Sequence, residues 1–200
     1  MDDRDLHPSP APSPAPGPDP APGPGLDAGP GTDADPGFGR ELDRVRALGR
    51  QGYQCAQILL LRGLELRGEH DPGLIRSMRG LCDGIGVGET CGALTGGACL
   101  LALNAGGVGP EDGDGPEPAA GSPPGTGDDD DPRLTLMRED LLTWFRAESG
   151  PGRGGLRCAD IAGPDGQWAP QRCPPLVAAV FRKVTDLLVQ NGFEPTGMRR

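Results

Sequence analysis

Gly84-Ile85-Gly86-Val87-Gly88-Glu89-Thr90-Cys91-Gly92-Ala93-Leu94-Thr95-Gly96-Gly97 is the stretch on which the reading of this chain turns. Its alternating glycines permit positive φ and let other groups approach the backbone closely. Glu89 or Thr90 can start a helix that runs to about Leu103, which puts Cys91 in its first turn among unpaired N–H groups. The positive end of a helix favours a thiolate, so this sulfur is suited to metal or redox chemistry. Gly92 and Gly96 lie one turn apart and leave a flat face for another element to pack on. The plainer alternative is a tight turn before a buried helix, with Cys91 as a small core residue.

On either side of this stretch, apolar residues recur at helical spacing. Arg40 to Arg50 reads as a short helix, and Gly49 to Gly52 breaks it. Tyr53 to Arg67 is apolar nearly all round, as a central helix would be, and has Cys55 in its first turn. Pro72 to Cys82 follows with Leu74, Ile75, Met78 and Leu81 in period. Beyond the cysteine helix, Pro132 to Ser149 carries Leu134, Met137, Leu141, Leu142, Trp144 and Phe145. A Gly- and Arg-rich loop holds Cys158, and Gly163-Pro164-Asp165-Gly166 is a turn. Cys173-Pro174-Pro175 opens a last helix with Val177, Val180, Phe181, Val184, Leu187 and Leu188, ended by Gly192. No stretch alternates as a strand does. The expected class is all-α, a small bundle of about five to six helices.

Much of the chain falls outside that bundle. Of 200 residues, 35 are glycine and 24 proline, unevenly spread. Residues 1–37 read as a disordered Pro-rich tail, with proline at every second position from Pro8 to Pro24. Residues 106–131 read as a disordered acidic insert of Gly, Pro and small polar residues ending in Asp128-Asp129-Asp130-Asp131. Neither has the apolar groups to offset its ordering entropy. One redox domain is therefore expected in two halves, 38–105 and 132–192. The net charge of −10 belongs to the tail and insert, and the rest is mildly basic. That is too weak a charge for a nucleic-acid footprint. No run is long and apolar enough for a signal-peptide core or a membrane span. A cytoplasmic protein without nucleic-acid or membrane partners is expected.

In a reducing compartment, six cysteines point to ligands, redox groups or buried thiols rather than structural disulfides. Cys55, Cys91 and Cys173 each stand at or just before a helix N-terminus, and Cys158 lies a short way upstream of Cys173. Helix N-termini stabilise negative charge. The pattern suits an iron–sulfur centre, whose potential is tuned by N–H···S bonds, and equally a redox-active dithiol. There is no C-x-x-C, so a shared site would have to be assembled by the fold, and no C-x-x-C-H, so covalent c-type haem is excluded. Cys99, roughly 12 Å along the helix from Cys91, is expected in the core. Cys82 is expected to be a buried or half-exposed thiol, and His70 an exposed loop residue. No G-x-S-x-G elbow or P-loop is present.

Gly52-Tyr53-Gln54-Cys55-Ala56-Gln57, Gly88-Glu89-Thr90-Cys91-Gly92-Ala93-Leu94-Thr95-Gly96, Cys158 and Cys173-Pro174 together resemble the C-GCAxxG-C-C family, described as redox-active with four signature cysteines. Carried over, these are Cys55, Cys91, Cys158 and Cys173, without Cys82 or Cys99. The family's domain also looks like the iron–sulfur portion of split-Soret-type cytochromes. The resemblance therefore implies a small iron–sulfur cluster, [2Fe–2S], used for electron transfer with a redox partner protein that the sequence does not name. The alternatives are thiol–disulfide exchange without metal, with Cys158 and Cys173 as the local pair, and a structural zinc site in an interaction module. A helical scaffold with buried cysteines is the fourth. The chain departs from the family pattern in its tail and insert, and the insert removes no signature residue.

Overall fold

The computed structural model describes residues 36–105, 131–149, 155–163 and 168–196. The Pro-rich tail and the acidic insert fall outside these residues, apart from the junctions at Pro36, Gly37 and Asp131. Seven α-helices are present among the described residues: α1 (Pro36–Arg50), α2 (Cys55–Arg67), α3 (Pro72–Ser77), α4 (Gly92–Ala105), α5 (Pro132–Ser149), α6 (Cys158–Ala162) and α7 (Cys173–Gln190). No strand forms there, and the one β-type pairing is an isolated bridge between Thr90 and Arg157. The chain is all-α, with one helix more than the sequence predicts.

The extra helix is α6. Its single turn opens on Cys158, where a loop is expected, and five residues are too few to show a period. Two boundaries also differ. Helix α1 begins at Pro36, and Pro suits a first turn because its missing N–H needs no partner there. The expected helix from Pro72 to Cys82 is split into α3 and a 3₁₀ turn at Met78–Leu81. Asp71 accepts from the Leu74 N–H at 2.8 Å and fixes the start of α3. Asp131, expected in the insert, accepts from the Arg133 N–H at 2.9 Å at the start of α5.

Helix α4 is central and packs on α2, α5 and α7. Small residues make this possible. A Cβ built on Gly96 would lie 2.8 Å from Ala56 Cα of α2, and one on Gly97 2.9 Å from Val180 Cγ1 of α7. The flat face expected from Gly92 and Gly96 is therefore the seam against α2. The core around it holds Ile58, Leu59 and Leu60 of α2, Leu101 of α4, Met137, Leu141 and Phe145 of α5, and Val177, Val184 and Leu187 of α7. At its edge, Arg62 of α2 pairs with Glu41 of α1 at 2.9 Å, and its guanidinium lies 5.3 Å from the centre of the Phe181 ring of α7. The pairing with Glu41, more than burial opposes it, holds this arginine charged.

The glycine-rich stretch is a single π-type turn at Gly84–Gly88. It is closed by the Gly88 N–H on Asp83 O and the Glu89 N–H on Gly84 O, both at 3.0 Å. Asp83 and Ile85 take positive φ, 55° and 54°, alongside Gly84. A β-branched residue there stores strain, which the closed turn over-determines. Gly84 is required by space as well: a Cβ on it would sit 2.3 Å from Glu89 N. The turn reverses the chain so that Cys82 and Cys91, nine residues apart, lie on either side of one compact loop.

Candidate functional site

Four helix starts meet at one end of the bundle, and each brings a sulfur. Cys55 is the first residue of α2, Cys158 of α6 and Cys173 of α7. Cys91 stands one residue before α4, and its carbonyl accepts from the Leu94 and Thr95 N–H groups at 3.0 and 3.2 Å. All four line one small cavity of about 20 Å³, enough for roughly one water molecule. Asp83 is the one charged residue in its wall, and Ile161, Trp168, Leu176 and Val177 make the apolar remainder. Sequence reasoning therefore named the four sulfurs that line this cavity.

Backbone pairing sets the local geometry. The Cys91 N–H donates to Leu156 O at 2.8 Å and the Cys158 N–H to Glu89 O at 2.6 Å, on either side of the Thr90–Arg157 bridge. An ion pair of Arg157 with Glu89 at 3.0 Å spans the same junction on the exposed side. Cys158 is thus pinned beside Cys91 although 66 residues separate them in the chain. Cys173 is turned inward by the Ala169 N–H, which donates to its sulfur at 3.2 Å. The Ala93 and Leu94 N–H groups face the Cys91 sulfur, and the Ala56 N–H faces that of Cys55, each favouring the thiolate. These are the outward-pointing donors that a helix start offers to an anion.

Burial opposes ionisation here. It pushes the Cys158 thiol up to about 12, with the neighbouring Cys91 and Cys173 sulfurs and Asp83 adding to the effect. Cys173 rises to about 11 for the same first reason, against the pull of the Ala169 N–H. Cys91 is raised by burial despite its two N–H donors. All six cysteines are thiols and none is in a disulfide. Among the described residues, no three His, Cys, Asp or Glu side chains stand at metal-holding spacing.

These shifts set a sign for alkaline stability. The fold holds Cys158 and Cys173 protonated above the ordinary thiol value of 9.0, so their contribution is complete below that pH. It is lost as pH rises toward the folded values, because the unfolded chain releases its protons first. The urea midpoint of reduced, metal-free protein should therefore fall steeply between about pH 9 and 12. A variant with both residues changed to Ala should show a flatter decline. Identical slopes would mean that these thiols are not buried as described.

Sequence reasoning set Cys82 apart from the four. Cys82 is buried, as expected, but it also touches the site. Its thiol donates to Met78 O at 3.5 Å, and its sulfur faces the Cys55 thiol and the Gln57 and Ala56 N–H groups at the start of α2. The pairing with Cys55 pulls Cys82 down to about 7 and pushes Cys55 up. Asp83 and Trp168 were also missed. Trp168 gave no signal in the sequence, since it stands outside any periodic segment. It reaches the cavity by lying against α1, where a Cβ on Gly49 would meet its ring at 3.0 Å. Cys99, expected in the core, is instead half-buried on α4 against the core's edge and does not line the cavity; His70 is exposed, as expected.

A family model described as "Putative redox-active protein (C_GCAxxG_C_C)" matches residues 53–187, which include all four signature cysteines. The chain belongs to the C_GCAxxG_C_C family. A redox role follows from that membership. No curated protein and no solved structure matches the chain. Among the described residues, no helix is long and apolar enough to cross a membrane. The C_GCAxxG_C_C motif itself has a structural reading here: its glycine pair lets α4 meet α2, and its cysteine ends at the cavity.

Proposed function

We propose that this protein is an electron carrier that holds a small iron–sulfur cluster, [2Fe–2S], through Cys55, Cys91, Cys158 and Cys173. The observation that supports the reading most is the convergence of these sulfurs on one cavity from four helix starts. The donor set fits such a group. It consists of three buried thiols and the half-buried Cys173 with an acid, and no Lys or Arg, among the lining residues. Four thiolates there would repel one another, and the positive charge of iron would offset that repulsion. The present spacing of the sulfurs is not that of ligands, so binding requires them to draw together. A bound cluster would supply one-electron chemistry. The chain's part is to donate N–H groups to the sulfurs at Ala56, Ala93, Leu94 and Ala169, which favours the reduced, more negative state. Trp168, Ile161, Leu176 and Val177 limit water in the site.

Thiol–disulfide exchange between Cys158 and Cys173 is disfavoured by the same burial, since a thiol held well above neutral pH is a weak nucleophile. A structural zinc would use the same donors and be redox-silent. The reducing compartment expected from the sequence suits either metal site. Anaerobic reconstitution with iron and sulfide decides among them. The expected product is brown, carries iron and acid-labile sulfide in equal amounts, and bleaches reversibly on reduction. A colourless protein without iron overturns the cluster, and tight zinc with no colour supports the zinc site instead.

A further inference from the structure

One buried nucleophile at this end of the bundle touches the four-sulfur site without lining its cavity. Cys82 caps the 3₁₀ turn and is 2% exposed. Its thiol donates to Met78 O at 3.5 Å, and its sulfur faces the N–H groups of Ala56 and Gln57 at the first turn of α2. Those residues directly follow Cys55 in the chain, and the Cys55 thiol is itself hydrogen-bonded to Cys82. A second observation agrees. A single carbon added at Gly92 would touch both residues, at 2.5 Å from Cys55 Sγ and 3.2 Å from Cys82 Cα. Two residues that press on one carbon position from either side lie close enough for an S–S bond to form between their side chains. The turn that follows Cys82 is a strained run of positive φ from Asp83 to Gly86, so the backbone beside it sits in a high-energy arrangement held by neighbours.

We infer that Cys55 and Cys82 form a reversible disulfide, which makes Cys82 a fifth redox cysteine and withdraws Cys55 from the four-sulfur site. The oxidant is a hydroperoxide. One thiol sulfur attacks its oxygen, the O–O bond breaks, and a sulfenic acid and one water (or alcohol) result. The second thiol attacks the sulfenic sulfur, the S–S bond forms, and a second water leaves with the thiol proton. Two thiols thereby lose two electrons and two protons, and a dithiol returns both. While the bond is closed, Cys55 has no thiolate to offer a metal. This consequence rests on the proposed cluster, but the disulfide does not.

The test uses the full chain, metal-free and reduced. It is treated with one equivalent of hydrogen peroxide, blocked with N-ethylmaleimide and digested without reductant. The expected result is a linked peptide pair containing Cys55 and Cys82, lost on treatment with dithiothreitol. Cys82→Ser should abolish that pair while circular dichroism and the unfolding midpoint stay close to those of the parent. Recovery of both residues as maleimide adducts, or of Cys55 joined to Cys91 or Cys158, overturns the proposal. If Cys82→Ser does not fold, peptide mapping of the parent still decides. Iron uptake by the oxidised and reduced forms is read separately. Failure of every form to bind iron counts against the cluster and leaves the disulfide result standing.

Discussion

Changing Gly92 to alanine should lower the stability of the protein by about 2–4 kcal/mol, or roughly 10 °C in Tm for a domain of this size. The added methyl would stand 2.7 Å from Leu81 O and 3.2 Å from Cys82 Cα, both backbone atoms of the strand of chain that enters the π-type turn. Neither can swing aside as the end of a side chain can. It would also press on Cys55 Sγ at 2.5 Å. Relief requires α4 to back away from α2 or the Cys82 segment to shift, and either opens the best-packed seam of the bundle. Alanine is the better helix former by about 1 kcal/mol in a helix interior, which offsets little at the first residue. Gly39 in α1 is the control, because nothing lies within 4 Å of a Cβ built there. Gly39→Ala should be neutral or stabilising by a few tenths of a kcal/mol, about the helix preference alone. Urea titrations of the two variants and the parent settle the matter. If Gly92→Ala unfolds at the parent's midpoint, the close approach of α4 to Cys55 and Leu81 is wrong.

The second large effect concerns metal. On the proposed cluster, Cys91→Ser should reduce iron and sulfide incorporation by at least about tenfold, since losing a ligand exceeds the cost of losing one of its supports. Cys99→Ser, on the same helix but away from the cavity, should bind as the parent does. The pair separates a site from a merely buried thiol. Both changes are nearly isosteric, and both residues belong to α4 or its cap, so loss of folding would show in either. Full iron in Cys91→Ser, with an unchanged visible spectrum, would remove Cys91 from the site and with it the four-sulfur reading.

Helical period made α5 and α7 legible, because each buries a face that repeats with the turn of its own backbone, whereas α2 and α4 are legible as apolar segments bounded by glycine and turn residues. The Cys55, Cys91 and Cys173 positions were legible for the same reason: a helix start is marked by local residues such as Pro174 and the Gly88-Glu89-Thr90 run. The single turn of α6 was not, since it is held by pairing of Cys158 N–H with Glu89 O and not by a period of its own. The split of α3 from its 3₁₀ turn is not legible either. Leu74, Ile75, Met78 and Leu81 satisfy either form of helix over so short a span.

Taken alone, the sequence determined an all-α chain with two low-complexity segments and with thiols at helix starts, because capping, periodicity and composition are properties of neighbours along the chain. Tertiary structure decided which helix starts meet. It placed Cys158 against Cys91, brought Trp168 over Gly49 to the cavity, and set Cys82 on the first turn of α2. Those meetings depend on how closely α4 can approach α2 and on how a π-type turn redirects the chain. Both are outcomes of packing in three dimensions, where residues far apart in the chain compete for the same space.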